Sequence, residues 1–566
     1  MFVTDIRFRQ FSPARFGLRS GMHCRLRFFH STAPATLIVL ALGACSGGGG
    51  STATAPPSIP GLPPPPTGLV SSVSAFTANC AGVPNPGTLY ANAEVEPHLA
   101  INPANLSNLI GTWQQDRWSN GAAQGTAVGF SFDAGTTWTT RPLPASRCGG
   151  GNIGNGGDYE RATDPWVTIS PNGTAYQMSL AISGATLQPG SVSAMLVFRS
   201  TDGGRTWSNP ITLIRDTDQF FNDKNTITAD PTDSRFVYAV WDRLSFDNRG
   251  PAFFARTVDG GLTWEPARAI YDPGVGNQAL GTVIAVLPDG TLVHFFNQLN
   301  TVGNALIGSF QVMRSADKGS TWSAPLKVAD FFGVGTRDPE TGTAIRDAGY
   351  LPQIAVGPQG HLYATWQDAR FSSGARDGIA FVRSTDGGLT WSPPVQVNGV
   401  TGVQALTPTV NARADGTLGV TYFDMRNNSS DATTLPVDHW LATSRDGVTW
   451  TDRRVTPASF EMGLAPVARG LFLGDYMGLV SSGTTFYPFY VRTTGDITNR
   501  NDVFITPIGV PSVSTEANAR QRAAAEIPVF TPTAEHRQRV HANIVRSMEQ
   551  RVPGWAKTRG LRNDPP

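Results

Sequence analysis

One eight-residue pattern recurs six times in this 566-residue chain. The copies read Ser131-Phe-Asp-Ala-Gly-Thr-Thr-Trp138, Ser200-Thr-Asp-Gly-Gly-Arg-Thr-Trp207, Thr257-Val-Asp-Gly-Gly-Leu-Thr-Trp264, Ser315-Ala-Asp-Lys-Gly-Ser-Thr-Trp322, Ser384-Thr-Asp-Gly-Gly-Leu-Thr-Trp391 and, one residue shorter, Ser444-Arg-Asp-Gly-Val-Thr-Trp450. Their aspartates fall at 133, 202, 259, 317, 386 and 446. A unit of about 60 residues that repeats this regularly means an array of similar supersecondary units. The residue types describe a turn. Asp and Ser/Thr side chains bond nearby backbone groups, and Gly accepts positive φ. Trp supplies a large apolar face to pack between neighbouring units. These octets are therefore read as structural turns, not as catalytic groups.

The rest of each unit is built from short strands. Gly (61) and Pro (42) are abundant and only 15% of residues are charged, which favours many turns over long helices. First strands are expected at His98–Asn102, Trp166–Ser170, Thr226–Ala229, Val283–Val286, Gln353–Val356 and Thr409–Ala412. Second strands include Leu109–Trp113, Val237–Trp241, Leu362–Trp366 and Gly419–Phe423, and a third strand leads into each octet. A seventh, incomplete unit follows at Tyr476–Ser481, Phe486–Arg492 and Val503–Pro507, and a strand near Gly87–Ala93 is expected to complete it and close a ring. Closure would remove exposed sheet edges. Residues 513–566 differ: Val540, Ile544, Val545, Met548 and Val552 fall at helical spacing, which predicts a short helical tail, docked or mobile.

The six octets resemble the Asp-box, or BNR, repeat of the sialidase superfamily. The resemblance covers roughly residues 85–508. It implies an all-β β-propeller with the octet between the third and fourth strands of each blade. The repeat count gives seven units; the six blades of known sialidase domains are the alternative. The chain looks most like exported bacterial sialidase-like, or exo-α-sialidase-like, proteins. The resemblance thus implies a protein acting on glycans, with retaining exo-glycosidase chemistry, and a site on the face opposite the octets. A non-catalytic propeller that binds carbohydrate or protein is the alternative.

That opposite face carries a second repeat. Four units place an acid and an arginine just after the second strand: Asp116-Arg117, Asp242-Arg243, Asp368-Ala-Arg370 and Asp424-Met-Arg426. Guanidinium groups present a planar fork that grips a carboxylate. Sialidases hold the carboxylate of sialic acid with three arginines, and Arg243, Arg370 and Arg426 are the candidates here, with Arg117 and the four aspartates as further substrate contacts. The other reading of each pair is a loop-bracing salt bridge repeated by duplication. The links between units add Glu94-Val-Glu96-Pro-His98, Asn222-Asp223-Lys224, Arg346-Asp347 and Asp475-Tyr476. The family uses a tyrosine nucleophile helped by Glu, with Asp as acid/base, an exception to the two-carboxylate scheme. Tyr476 is the first candidate and Tyr159 the second, with Glu160 and Asp164 as the acidic groups. The family's Phe/Tyr-Arg-Ile-Pro segment has no counterpart: the corresponding strand reads Val95-Glu-Pro-His-Leu-Ala-Ile-Asn-Pro103.

Other chemistries lack their signatures. There is no Gly-Lys-Ser/Thr phosphate loop, no His-Glu-x-x-His and no paired Cys-x-x-Cys, so no metal site and no cofactor are expected. Structural Ca²⁺ is not indicated by the sequence. Lys+Arg 44 against Asp+Glu 43 lacks the basic excess of a nucleic-acid binder. The expected partners are a glycan or anionic sugar and, through an anchor, a membrane; the body is expected to be a monomer.

The N-terminus reads as a targeting segment. Residues 36–44 are Thr-Leu-Ile-Val-Leu-Ala-Leu-Gly-Ala, too short to span a bilayer as a helix, and Cys45 follows. Leu42-Gly-Ala-Cys45 resembles a bacterial lipobox, whose cysteine becomes the lipidated first residue of the mature protein. Residues 1–45 are thus read as a lipoprotein signal, with Met22 as an alternative start. Residues 46–75 form a Gly/Pro-rich tether and 76–512 the repeat body. The expected location is the bacterial cell envelope. Cys80 and Cys148 then remain as a pair in an exported chain, which predicts a disulfide. The lipid reading is checked by fractionation: Cys45→Ala is expected to leave the membrane fraction with its fold intact, because the tether separates anchor from body.

Overall fold

The computed structural model describes residues 68–83, 87–245, 247–347, 349–511 and 530–558. The signal segment, Cys45 and the tether up to residue 67 lie outside the described residues, as do 513–529 and 559–566 of the tail. The described chain is all-β except for three 3-10 turns and two C-terminal helices, Ala534–Arg551 and Trp555–Thr558. Among the described residues no helix is long and apolar enough to cross a membrane.

The repeat read from the sequence is a four-stranded antiparallel unit. In the third unit Phe220–Ala229, Val237–Ser245, Ala252–Thr257 and Arg268–Tyr271 pair in chain order. Three later units, beginning at Gln278–Val286, Gln353–Val356 and Ala405–Ala412, repeat this plan. The first two units, beginning at Val95–Ile101 and Arg161–Ile169, share one sheet because Ala123 pairs with Ala162. The first strand of each unit lies against the first strand of the next, and Gly478–Ser482 of the seventh lies against Val95–Ile101 of the first. Between units the core is apolar: Trp113, Trp241 and Trp366, at matching positions on second strands, are almost fully buried.

Each octet spans the turn between third and fourth strands, such as Ala123–Ser131 and Thr139–Pro142. Asp133 shows why these residues are needed. Its carboxylate accepts from the Thr137 amide at 2.9 Å, from the Thr137 hydroxyl at 2.6 Å and from the Ser131 hydroxyl at 2.7 Å. Ser131 Oγ in turn accepts from the Gly135 amide at 2.9 Å, and Trp138 Nε1 donates to Gly135 O at 3.0 Å. The same bonds recur around Asp202, and around Asp386 with Trp391. The hydroxyl and amide donors hold Asp133 down at a pKa of about 2. The octet tryptophans are half-buried rather than fully enclosed; Trp391 packs one face against Phe295, ring centres 5.8 Å apart.

Two boundaries differ from the sequence reading. First, the seventh unit is completed mainly from residues 68–71; of the Gly87–Ala93 segment only Ala93 reaches it, in a bridge to Asn501. Val70 N donates to Val503 O at 2.8 Å and Ile505 N to Gly68 O at 2.7 Å, so pairing begins inside the stretch assigned to the tether. Leu69-Val70 interrupts the Gly/Pro-rich composition there and Val70 is buried, which is why composition alone placed the boundary too late. Leu89–Tyr90 instead joins the first unit opposite Arg117–Trp118. Second, several first strands start earlier than expected, because each crosses a β-bulge. Register shifts occur at Val95/His98, Thr163/Trp166, Asp223/Thr226 and Leu406/Thr409. At the bulges Glu96 (φ 54), Asp164 (φ 50), Lys224 (φ 53) and Thr407 (φ 51) take the left-handed conformation, which costs about 1–2 kcal/mol per non-glycine residue. A bulge re-aims the side chain it carries.

Cys80 and Cys148 form a disulfide. The tail helix docks: Thr533 caps it by accepting from the His536 amide at 3.1 Å. Val540, Ile544, Val545 and Met548, the residues read at helical spacing, are its buried face, in the same apolar cluster as Leu306 and Tyr350. Because Trp391 is only half-enclosed, Trp391→Ala is expected to lower stability by about 2–3 kcal/mol, less than truncation of a fully buried aromatic, as read by denaturant unfolding.

Candidate functional site

The three bulged charged residues meet. Lys224 Nζ lies 2.6 Å from Asp475 Oδ2 and 3.4 Å from Asp164 Oδ2. Arg346 grips the same Asp475 with both prongs, Nε to Oδ1 at 3.0 Å and Nη2 to Oδ2 at 2.6 Å. Arg346 is held there by a short parallel pairing of Ile345–Arg346 with Leu471–Phe472. The Phe472 ring lies under two guanidinium groups, 4.3 Å from Arg346 and 4.9 Å from Arg117. Gly474 (φ 148) permits the approach of this segment to the first unit: a Cβ there would sit 2.6 Å from Glu96 N. Glu96, wholly buried, accepts from Gln114 Nε2 through Oε2, while its Oε1 has no hydrogen-bond partner among the described residues.

Electrostatics follow from burial. Loss of water raises Glu96 to about 8, and the carboxylates of Asp164 and Asp475 add to the effect, so it is neutral at pH 7. Burial also opposes the charge on Asp475, but Arg346 and Lys224 hold its carboxyl well below the usual range. Burial works against Lys224 too, and Asp164 and Asp475 overcome it. Arg117 is lowered to about 10, by burial and then by Arg346, and stays charged. At neutral pH three cations, Arg117, Lys224 and Arg346, therefore face two ionisable aspartates, and burial raises the Asp164 carboxyl.

The cluster opens on a cavity of about 550 Å³. Its walls include Arg117, Arg161, Lys224, Arg346, Arg469 and Arg551, against the carboxylates of Glu160, Asp164 and Asp223. Arg161 donates to Asn120 Oδ1 at 3.0 Å and lies 5.3 Å from the Trp118 ring. Arg469 donates to backbone carbonyls of Glu549 and Gln550 in the tail helix. Among the described residues no group of three or more His, Cys, Asp or Glu side chains is arranged to hold a metal ion.

Of the residues singled out from the sequence, the structure brings Arg117, Glu160 and Asp164 to this cavity. Arg243, Arg370 and Arg426 do not line it. Arg243 pairs with Asp216 through two 2.7 Å bonds and stacks on Phe220 at 3.5 Å. Arg370 closes back on Asp368 at 2.7 Å, and Arg426 on Asp424 at 2.7 Å and Asp452 at 3.0 Å, over Trp440. Asp116 accepts from Ser74 Oγ, the Asn92 amide and Gln124 Nε2, anchoring the entering chain. Asp242 pairs with Arg551. Tyr476 is buried behind the cluster; its hydroxyl donates to Pro165 O at 2.8 Å and its ring meets Trp166 edge-on. Burial, then Glu96, raises its pKa further. Tyr159 is buried in the apolar cluster with Leu143 and Leu196, away from the cavity lining. His98 stacks on Trp166 at 3.8 Å, and burial lowers it to about 3.

The sequence places Glu96, Lys224, Arg346 and Asp475 on this face without giving them a site role, and it does not single out Arg469 or Arg551. The available signal was positional: Glu96-Pro-His98, Asp164-Pro-Trp166 and Lys224-Asn-Thr226 stand at the same place in successive units, and Lys224 is one of only four lysines.

Comparison with known families agrees with the octets. Residues 109–332 match the BNR repeat-like domain, the class of repeat that the octets resemble. No curated protein matches the chain. Solved structures similar to it include a protein of unknown function from Dyadobacter fermentans, 17% identical over 59% of this chain and 92% of that one, TM-score 0.39. A Hadza microbial sialidase is 19% identical over 59% of this chain and 64% of its own, TM-score 0.38. The GH93 α-L-arabinofuranosidase of Fusarium graminearum, solved with arabinobiose, is 11% identical over 75% and 97%, TM-score 0.37.

A pH test follows from Glu96. A carboxyl whose folded pKa is raised keeps its full contribution below its unfolded value, near 4.5, and loses it as pH rises through about 8. Glu96→Gln is therefore expected to gain stability relative to the parent between pH 5 and pH 8, by on the order of 1 kcal/mol or more, in paired denaturant titrations. A difference that stays flat with pH would mean Glu96 is ionised in the fold.

Proposed function

We propose that the chain is an envelope-anchored, seven-bladed β-propeller that acts on glycans by taking an anionic sugar unit into the 550 Å³ cavity. The observation that carries this reading is the cavity wall: six cationic side chains against three carboxylates, in a chain of net charge +1. Neutral Glu96 adds no negative charge behind the wall, so Asp475 and Asp242, paired with Lys224, Arg346 and Arg551, offset only part of that excess. Cationic forks fixed around an opening of this size suit a carboxylated monosaccharide at the end of a glycan. The seven-unit count and the contact of the last first-strand with the first support the propeller. The lipobox-like Cys45 supports the envelope location.

Hydrolysis is a second reading, favoured by one observation. Asp164 opens on the cavity with its carboxyl raised by burial, as a general acid requires. The hydroxyl of Tyr476 is committed to Pro165 O, so a tyrosine nucleophile in that position would need the cluster to rearrange.

The test is direct binding of N-acetylneuraminic acid and D-glucuronic acid by calorimetry, alongside turnover of a fluorogenic sialoside and a glycoside panel. Binding without turnover supports capture; turnover abolished by Asp164→Asn supports hydrolysis; neither overturns both readings. Arg161→Ala is expected to weaken binding by roughly tenfold, the worth of one charge-assisted hydrogen bond. Arg243→Ala should lower the melting temperature and leave affinity within about twofold, since Arg243 braces Asp216 outside the cavity.

A further inference from the structure

The tail helix lies outside the repeated units, yet it reaches the cavity. Gln550, Arg551 and Pro553 are part of its wall. Arg551, almost fully buried, donates through Nε to Asp223 Oδ2 at 2.6 Å and through Nη2 to Asp242 Oδ2. Its Nη1 lies 3.4 Å from Gln278 Oε1. Both aspartates stand on the third unit, and each is nearly inaccessible. Asp242 Oδ1 has no hydrogen-bond partner among the described residues. Two carboxylates thus converge on one guanidinium supplied from 309 residues away in sequence.

The arrangement is lopsided. Two other acid–base pairs of this face close within their own unit, Asp368 with Arg370 and Asp424 with Arg426. In the third unit Arg243 has turned to Asp216, which leaves Asp242 to an outside cation. Without Arg551, the wall would lose a positive charge and Asp223 would face the ligand unneutralised, with Asp242 behind it.

We propose that the C-terminal helix is a working part of the binding site: by neutralising Asp223 and Asp242, Arg551 sets the charge of the cavity so that it accepts an anion. This rests on the reading of the cavity as an anionic-sugar site. Arg551 is a positioning residue here, acting through the two aspartates. Docking of the helix and binding of the ligand are then coupled, each favouring the other to the same extent.

The experiment uses the full chain and two probes, N-acetylneuraminic acid and its uncharged methyl ester, titrated against the parent, Arg551→Gln, Arg551→Lys and the double variant Arg551→Gln/Asp223→Asn. Arg551→Gln is expected to bind the acid about tenfold or more weakly and the ester nearly unchanged. Arg551→Lys should recover part of the loss, because the charge returns without the fork. The double variant should return to within about threefold of the parent, because the unneutralised acid is gone. Hydrogen exchange of residues 540–548 reports in parallel whether the helix stays docked and slows when the acid binds. Equal affinity of all four proteins for the acid overturns the proposal while leaving the cavity reading intact. Equal loss of acid and ester in Arg551→Gln, with no recovery in the double variant, also overturns it and leaves Arg551 a purely structural latch. Failure of the parent to bind the acid at all overturns the cavity reading, and this proposal with it.

Discussion

Asp475 accepts from Lys224 and Arg346, both at 2.6 Å, in a place almost without solvent. Taking three ions out of water costs several kcal/mol per ion, and mutual attraction offsets this only when geometry is good and the remaining polar atoms are bonded. Here the bidentate grip of Arg346, the stacking on Phe472 and the bulges that aim Lys224 and Asp164 provide that geometry. Replacing such buried ion groups by apolar residues of similar volume is often neutral or stabilising. The ion cluster therefore makes a poor case as a stabilising device and a better one as a charged surface kept in position for something that enters the cavity.

The bulges are the structural means. A regular strand would alternate its side chains and point each of these residues up or down the sheet. One extra residue in the left-handed conformation turns it toward the neighbouring first strands instead. The cost of about 1–2 kcal/mol at each of Glu96, Asp164 and Lys224 is accepted in three successive units, and glycine appears in the equivalent conformation at Gly281 of the fourth. Strain repeated in register, at the residues that build one cluster, fits a functional constraint better than a local accident.

The scaffold was legible in the sequence because its signal is redundant. Six octets fix the third-to-fourth-strand turns, and Asp133, Asp202 and Asp386 make the bonds their residue types predict. The tail helix and the Cys80–Cys148 bridge were equally plain, one from spacing and one from elimination. The site was legible only in part: Arg117, Glu160 and Asp164 reach the cavity. Asp–Arg doublets stand out because they occur in four units, but a feature that recurs from unit to unit is most simply explained by what those units share, a braced loop. Other groups at the cavity come from single occurrences: Arg346, paired with Asp475, in a linker and Arg551 in the tail. Neither periodicity nor spacing marks such residues, since their meeting depends on how seven units are arranged in space. The closing strand at residues 68–71 escaped for a related reason: it is paired across more than 430 residues of sequence, and nothing local announces the partner.

The doublets show how function can arise on a duplicated frame. At Asp368 with Arg370 and at Asp424 with Arg426 the acid and base satisfy each other, and both side chains are lost to the ligand. At Asp116-Arg117 the pair is split: Asp116 anchors the entering chain through Ser74 and Asn92, which leaves Arg117 to face the cavity beside Phe472. At Asp242-Arg243 it is split the other way: Arg243 goes to Asp216, and Asp242 receives Arg551 from the tail. In both split pairs a segment outside the repeated strands takes part: Ser74 and Asn92 hold Asp116 together with Gln124 of the first unit, and Arg551 holds Asp242. Breaking the internal bridge releases a charge: a cation at Arg117 in one case, and in the other an acid, Asp242, that Arg551 neutralises. The segment entering the first unit and the tail helix are thus both tied to the charges around the cavity.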